Sequence, residues 1–367
     1  MPTIKDIFNA YVPRYLAKFA DQIPAEHRKV ITAIRSCRTA VCGMTVYQCT
    51  DCGKNHHVFR SCGNRHCPSC QQQKARDWKQ RQTANRLPGQ YFMITFTVPE
   101  EIRGFIRSHQ RLAYDGLFKA SSGAMKTLAA DVKYIGGDLP GFFGVLHTWG
   151  RQLQYHPHIH YVVPGGAWST QHNQWRPCRP AFYLPVRALS KIYRARFRDL
   201  MVKAGLIHKI PRQVWQKSWN VNCQAAGGAR HSIRYLSQYV FKVAISDHRI
   251  VSSENGSVTF SYHRPKSRRT RFMKITAEEF IRRFLQHTLP SGFMKVRYYG
   301  FMNACCSVAV DTIRRSIEMM NGLETVQQEP GEPKSEKPAP YCPDCGARLT
   351  YCYSVLPYQM LPRRDTG

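Results

Sequence analysis

The stretch YHPHIHYVVPGG, residues 155–166, predicts a β-strand that ends at its Pro-Gly-Gly turn. Residues two apart in a strand point to the same face, so His158 and His160 project together while Ile159 points into the core. Two imidazoles at this spacing can hold one divalent cation and leave coordination positions for water and a phosphate oxygen. The alternative is a pair of solvated histidines, so the pattern needs a chemical partner.

Two further apolar runs precede this strand in the chain. YFMITFTV, residues 91–98, lies between Pro-Gly and Val-Pro turns and is rich in aromatic and β-branched residues. FFGVLHTW, residues 142–149, has the same character, and a helical stretch over residues 100–134 separates the two. Strands that alternate with helices predict a catalytic domain of the α/β or α+β class.

The partner of the histidine strand is the segment HSIRYLSQYVFKVAIS, residues 231–246. Tyr235 and Tyr239 are four residues apart, so both hydroxyls project along one face of a helix, and Lys242 follows three residues later. A phenol with a pKa near 10 is neutral at pH 7, so a metal ion must polarise the phosphate that it attacks, and a nearby cation favours the phenolate. The alternative is two core tyrosines at helical spacing.

The chain has 367 residues and a formal net charge of +31, which implies a polyanionic partner. Nucleic acid is the commonest such partner, and an anionic membrane is the rival interpretation. No apolar run approaches the ~18 residues of a membrane span, and the amino terminus lacks the layout of a secretory signal. We therefore expect a cytoplasmic protein that makes no membrane contact.

Cysteine pairs dominate residues 37–70. Cys49-x-x-Cys52 and Cys67-x-x-Cys70 are separated by 14 residues, close to the spacing with which two pairs give one Zn²⁺ four thiolates. Such a site has no open position for substrate, so we expect a structural ion, the alternative being inert buried thiols. A second ion could draw on the other cysteines and histidines of the block, Cys37, Cys42, His56, His57, Cys62 and His66.

The carboxy-terminal part of the chain differs in composition. Residues 327–340 (QQEPGEPKSEKPAP) are proline-rich and acidic, which predicts a linker. The tail, residues 341–367, contains three cysteines without an evident fourth ligand of their own. These three cysteines are Cys342, Cys345 and Cys352. There are two alternatives: Cys305 or Cys306 supplies the fourth ligand, or the tail is a degenerate ribbon.

His-hydrophobe-His on a strand, followed by a helix with Tyr-x-x-x-Tyr, resembles the HUH single-strand endonucleases. The order of the motifs along the chain is similar to that of the insertion sequence 91 family of two-tyrosine transposases. These motifs extend from about residue 35 to residue 305 and are CTDCG (49–53), SCGNRHCPSCQ (61–71), LPGQYFMITFTVP (87–99), LHTWGRQLQYHPHIHYVVPGG (146–166), IRYLSQYVFKVAIS (233–246) and FIRRFLQHTLPSGFMKVRYYGF (280–301).

The resemblance implies an α+β fold, in which a zinc-binding domain precedes an HUH nuclease domain built on a central antiparallel sheet flanked by helices. The implied domains are a helical lead-in with the zinc-binding domain, the nuclease domain, the linker and the tail. Their residues are 1–87, 88–326, 327–340 and 341–367. In that zinc-binding domain we expect the structural ligands to be Cys37, Cys49, Cys52, Cys62, His66, Cys67 and Cys70.

The resemblance also implies an enzyme that cleaves and rejoins single-stranded DNA in rolling-circle-like transposition. Tyr235 and Tyr239 would form 5′-phosphotyrosine links, and His158 and His160 would hold Mg²⁺ or Mn²⁺. The third metal ligand stays open between three candidates, of which Gln238 is our choice; the others are Gln154 and His156. Because no phosphate-binding Gly-x-x-x-x-Gly-Lys-Ser/Thr motif is present, we expect strand separation by a host helicase or by replication.

DNA contacts outside the chemistry are indicated only by charge and by aromatic residues. A basic segment forms a candidate phosphate track, namely Arg264, Lys266, Arg268, Arg269 and Arg271. Trp168 and Trp175 could stack on bases, whereas we expect Trp149 to pack in the core. Two alternatives remain: a relaxase or plasmid replication initiator with the same chemistry, and a zinc-dependent DNA-binding regulator without catalysis.

Overall fold

A computed structural model describes residues 1–70, 72–228, 244–263, 269–322 and 340–357. Its helices are α1 (Ile4–Phe19), α2 (Ala25–Ser36), α3 (Gln72–Ala84), α4 (Arg103–Ser108), α5 (Gln110–Ala130), α6 (Val186–Lys203), α7 (Ala277–Leu285) and α8 (Val310–Met320). Its strands are β1 (Met44–Cys49), β2 (Asn55–Phe59), β3 (Gln90–Thr97), β4 (Phe142–Trp149), β5 (Tyr155–Pro164), β6 (Gly166–Ser169), β7 (Gln174–Pro177), β8 (Val221–Gly228), β9 (Ile250–Glu254), β10 (Ser257–His263), β11 (Thr270–Thr276), β12 (Val296–Tyr299) and β13 (Leu349–Val355). Within the described ranges, none of the helices combines the length and apolar character that a membrane crossing needs.

The chain divides into two compact units, each described here by itself. The first unit combines Met1–Gln73, Ile245–Thr288 and Gln328–Gly367. Helix α1 packs against α7 in this unit, with the rings of Phe8 and Phe284 in edge-to-face contact at 5.2 Å. Two three-stranded antiparallel sheets complete it, with strand orders β13-β1-β2 and β11-β10-β9.

The second unit combines Lys74–Ala244 and Leu289–Gln327. Its centre is a five-stranded antiparallel sheet with the order β12-β4-β5-β3-β8, and a β6-β7 hairpin lies beside it in the same unit. The three strands predicted from the apolar runs are β3, β4 and β5, which are adjacent in this sheet. The predicted α+β class with a central antiparallel sheet and a cysteine-rich region at the amino terminus is confirmed.

Both faces of the central sheet carry buried side chains. One face packs against α5 and α6 and includes Ile94 and Ile159, so the predicted inward direction of Ile159 is confirmed. The opposite face includes Val145 and packs against Trp78 of α3 and Ile313 of α8. A sheet buried on both sides is a rigid platform, because side chains held at close-packed density cannot move freely.

The observed division differs from the predicted domain boundaries at three places. Residues 74–87, which we expected with the zinc-binding domain, belong to the second unit. Residues 245–288, which we expected in the nuclease domain, belong to the first unit, where α7 packs against α1. The tail also belongs to the first unit, because β13 pairs with β1 from Met44↔Val355 to Cys49↔Leu349. All three differences come from contacts between segments that are distant in sequence, which local patterns do not report; for residues 74–87, Trp78 donates to the Tyr298 hydroxyl at 2.8 Å.

Candidate functional site

Three histidines gather on the central sheet of the second unit. Strand pairing sets their positions, because His147 on β4 lies opposite His158 on β5, and His160 follows two residues later on the same face. The ring centroids of His158 and His160 are 4.7 Å apart, and those of His147 and His160 are 4.8 Å apart. One ring nitrogen from each histidine lies within 4.8 Å of the others, so a single metal ion fits between them.

Hydrogen bonds orient two of these rings toward the centre of the cluster. The His158 Nδ1–H donates to the backbone carbonyl of His156 at 2.7 Å, because a carbonyl can only accept. This bond leaves the lone pair of His158 Nε2 available to a metal ion. His160 Nδ1 lies 2.9 Å from the Thr95 hydroxyl, and the tautomer that frees its Nε2 is the one in which Nδ1–H donates to Thr95.

Two histidines of the cluster, His158 and His160, are neutral near pH 7. Burial lowers the pKa of His160 to about 4 and lowers the pKa of His158 well below its ordinary value. Burial also lowers the pKa of the neighbouring His156 to about 4. Neutral imidazoles keep the lone pairs that metal ions need, so a cation placed there would not have to displace protons from His158 and His160 at physiological pH.

His147 is the functional candidate that our reading of the sequence missed. Of the three open candidates, Gln154 is folded back into the β4–β5 connection, where its Oε1 accepts from the Gln152 amide at 3.0 Å. His156 lies outside the group of three, with its ring centroid 5.0 Å from that of His158. Gln238 lies outside the described residues. A signal for His147 existed, because it is the one ionisable residue of a largely apolar strand.

The tryptophans do not lie where we expected them, because two are more buried and one is less buried than predicted. Trp168 of β6 and Trp175 of β7, the predicted base-stacking residues, are buried in the hydrophobic core, so that prediction is wrong. Trp149 is half-buried and stacks on His147 with a centroid distance of 5.0 Å. The Lys295 ammonium lies 4.7 Å from the centre of a Trp149 ring, in a cation–π arrangement. An aromatic ring and a cation therefore border the histidine cluster.

The predicted nucleophiles and part of the predicted phosphate track lie outside the described residues. They are Tyr235, Tyr239, Lys242, Arg264, Lys266 and Arg268. The remaining two residues of the track are described: Arg269 precedes β11, Arg271 lies in β11, and both are exposed. Because both are exposed, their side chains stand on an outer surface of the first unit. β11 is also an edge strand of its sheet.

Eight cysteines of the first unit form two separate groups. Cys37, Cys62, Cys67 and Cys70 form one group, in which the Cys70 sulfur lies 3.4 Å from that of Cys37 and 3.5 Å from that of Cys62. A hydrogen bond from the Cys67 thiol lowers the pKa of Cys62 to about 5, so this group contains a thiolate at neutral pH. Four sulfurs at these distances are the closed tetrahedral set of a structural zinc site.

The predicted pairing of Cys49 and Cys52 with Cys67 and Cys70 is wrong. The β1–β2 hairpin explains why, because Cys49 ends β1 at the turn, whereas Cys62 follows β2 at the open end of the hairpin. Five residue pairs at ~3.3 Å each separate these ends by about 17 Å. Cys49 and Cys52 instead lie with Cys342 and Cys345 of the tail.

Other predicted ligands of the zinc-binding region also fall outside the two cysteine groups. Neither Cys305 nor Cys306 is a member of a group, so the expectation that one of them completes a site with the tail is wrong. His66 is likewise not a member, and its backbone amide donates to the Asn64 side chain at 2.8 Å. Cys42 donates to the Ser36 carbonyl at 3.0 Å. Within the described residues, each of the two four-membered groups consists of cysteine sulfurs alone.

Comparisons with known proteins find that this chain is similar to transposases. The family model “Transposase zinc-binding domain” matches residues 7–98, and the family model “Putative transposase” matches residues 141–309. “Putative transposase y4qJ” of Sinorhizobium fredii is 38% identical over 321 residues, which are 82% of this chain and 80% of the relative. “Transposase for insertion sequence element IS801” of Pseudomonas savastanoi pv. phaseolicola is 25% identical over 353 residues, which are 89% of this chain and 83% of the relative. No solved structure matches.

Proposed function

The chain belongs to the insertion sequence 91 family of transposases, and on that basis we propose that it cleaves and rejoins single-stranded DNA through 5′-phosphotyrosine links. The observation that carries the proposal is the cluster of His147, His158 and His160 on the central sheet. A transposase binds DNA, and a formal net charge of +31 suits that polyanion. Family membership favours transposition over the relaxase and replication-initiator alternatives.

We infer that the histidine cluster holds a divalent cation next to the substrate. Mg²⁺ takes oxygen ligands, whereas imidazole nitrogen suits transition-metal ions, so of the two predicted ions the three histidines fit Mn²⁺ better. A cation there supplies positive charge to a non-bridging oxygen of the scissile phosphate. His158 and His160 are fixed by hydrogen bonds through their Nδ1 atoms, so the protein contributes two pre-oriented donors.

Tyr235 and Tyr239 are the proposed nucleophiles, and their support comes from the sequence spacing. The tyrosine oxygen would attack phosphorus as it loses its proton, and the bond from phosphorus to the 3′ oxygen would break. That oxygen takes up a proton and leaves as a 3′-hydroxyl, while the 5′ end stays linked to tyrosine. Lys242 would favour the phenolate, and Gln238 stays a candidate additional metal ligand. Because the new phosphotyrosine ester retains the energy of the broken phosphodiester bond, attack by another 3′-hydroxyl on its phosphorus rejoins strands and releases the tyrosine without ATP.

The substrate must reach the site as a single strand. The sequence contains no phosphate-binding motif of a helicase, so a host helicase or replication would separate the strands. We further propose that exposed Arg269 and Arg271 neutralise DNA phosphates, together with Arg264, Lys266 and Arg268 of the same segment. Such contacts add affinity without sequence specificity.

The test is covalent capture of single-stranded DNA from both flanks of the gene. Purified wild-type protein is incubated with labelled strands and Mn²⁺ or EDTA, then run on a denaturing gel. We expect an adduct that resists denaturation, needs Mn²⁺ and is absent from the Tyr235→Phe/Tyr239→Phe variant, because only a phenol oxygen can form the link.

A matched control separates chemistry from general damage to the protein. Tyr351→Phe/Tyr353→Phe removes two phenols from β13 that are 58% and 55% exposed, and it should leave the adduct intact. If wild-type protein binds both flank strands tightly and forms no adduct with Mn²⁺, the non-catalytic DNA-binding alternative is correct. If the double phenylalanine variant retains the adduct, another residue is the nucleophile.

A further inference from the structure

Two copies of one short motif lie at opposite ends of the chain. CTDCG, residues 49–53, and CPDCG, residues 342–346, share the pattern Cys-x-Asp-Cys-Gly. They differ only at the position x, which is a proline in the second motif. Each ends in a glycine with a left-handed backbone, with φ of +69° at Gly53 and +76° at Gly346. In each, the amide of that glycine donates to the carbonyl of the first cysteine, at 3.2 and 2.9 Å. The two motifs therefore form the same tight turn.

The four sulfurs of these turns face one another. The Cys49 sulfur lies 3.4 Å from that of Cys345, and the Cys52 sulfur lies 3.8 Å from that of Cys342. All four lie within 4.8 Å of one another. Zinc–sulfur bonds of about 2.3 Å place the corners of a tetrahedron about 3.8 Å apart, so the observed spacing suits one bound ion.

The surrounding contacts hold the two turns together independently of the sulfurs. Strand β13 pairs with β1 along its length and begins at Leu349, which packs with Cys49 and Cys342 in a small core. The Thr50 amide donates to the Arg348 carbonyl at 3.3 Å, which extends this pairing into the first turn.

Polar side chains support the same arrangement. Lys54, next to the first turn, forms an ion pair with Asp344 of the second turn at 2.9 Å. His56 Nε2 lies 3.2 Å from the Cys342 sulfur, a position from which an N–H can donate to a thiolate. Ligand turns with such outer partners are typical of metal sites rather than of stray thiols.

We propose that Cys49, Cys52, Cys342 and Cys345 bind a second Zn²⁺, separate from the ion of Cys37, Cys62, Cys67 and Cys70. This second site is a zinc ribbon assembled from the two ends of the chain. The match to the zinc-binding family model ends at residue 98, so the tail half of the ribbon lies outside it. The consequence is that the tail is a structural part of the amino-terminal unit.

Metal counting on the full-length protein tests the proposal. We expect two zinc ions per chain in wild type by mass spectrometry of the metal, and one in Cys342→Ser/Cys345→Ser. Cys67→Ser/Cys70→Ser should also retain one ion. The matched control is Cys352→Ser, which removes an exposed thiol of the tail that belongs to neither group and should leave two ions.

Thiol labelling of folded wild-type protein gives an answer that does not depend on a variant folding. With zinc bound, an alkylating reagent should label Cys352 rapidly, and Cys342 and Cys345 at least tenfold more slowly, although Cys345 is also exposed. Graded chelation should release Cys49, Cys52, Cys342 and Cys345 together. One zinc per chain in wild type, two in Cys342→Ser/Cys345→Ser, or labelling of Cys345 as fast as Cys352 would each overturn the proposal.

Discussion

Thr95→Val tests how the central sheet orients its histidines. Thr95 on β3 lies opposite His160 on β5, and its hydroxyl is 2.9 Å from His160 Nδ1. Valine has nearly the same shape but cannot accept a hydrogen bond, so the change removes the acceptor available to a proton on Nδ1. The ring can then place its proton on Nε2, the atom that must be free for a metal ion.

The expected size of the effect follows from that bond. Losing the outer partner of a metal-binding histidine typically weakens metal affinity about 10- to 100-fold, which equals roughly 1.4–2.7 kcal/mol. The upper part of this range applies if the Nδ1–H is left without an acceptor, which costs about 1–3 kcal/mol in a buried setting. We therefore expect the dissociation constant of Mn²⁺ to rise about 10- to 100-fold while the fold is unchanged.

Titration of free Mn²⁺ by electron paramagnetic resonance measures the dissociation constant without any DNA substrate. The matched control is Thr97→Val, because Thr97 is on the same face of β3, opposite His158, and its hydroxyl has no hydrogen bond to a described residue. An Mn²⁺ affinity within threefold of wild type in Thr95→Val would refute the orienting role of this hydroxyl. An equal loss in Thr97→Val would show that the effect is not specific to the His160 bond.

Three further predictions use the same unit, whose stability can be followed by fluorescence because all six tryptophans of the chain lie in residues 74–244. His147→Ala should weaken Mn²⁺ binding more than Thr95→Val does, because it removes a ligand; equal affinity to wild type in the same titration would exclude His147 from the site. Gly144→Ala should lower the free energy of unfolding in urea by about 1–3 kcal/mol, because the new Cβ would lie 2.3 Å from the Tyr161 ring. The control is Gly104→Ala, whose new Cβ meets nothing within 4 Å and which should not destabilise the protein. Ser121→Ala removes the hydroxyl 2.7 Å from the Tyr161 phenol and should lower the free energy of unfolding by about 1–3 kcal/mol. Adding Tyr161→Phe to that variant should restore part of the loss, and strictly additive losses in the double variant would contradict the coupling.

Strand alternation accounts for most of what the sequence could predict about the candidate site. A period of two placed His158 and His160 on one face and Ile159 on the other, and the structure has that arrangement. His147 was missed because its position depends on register across the connection from Trp149 to Tyr155. Alternation reports which face a side chain occupies, whereas register depends on the geometry of a turn.

The zinc groups show a different limit. Cys-x-x-Cys spacing correctly indicated metal turns, because ligands within one turn are local. Which turns share an ion depends on where strands bring them, and the length of β1 keeps Cys52 away from Cys67. The partner turn of Cys52 lies 290 residues further along the chain, beyond the reach of any spacing rule.

The pairing of β13 with β1 has a consequence for the order in which the protein is made. Cys52 and Cys342 are 290 residues apart, so at ~5–20 residues per second a ribosome needs roughly 15–60 s to reach the second turn after making the first. During that time β1 is an unpaired edge, which favours pairing with other chains. The amino-terminal unit is thus completed last, and a product cut short before residue 340 keeps an open edge where the native protein has a strand.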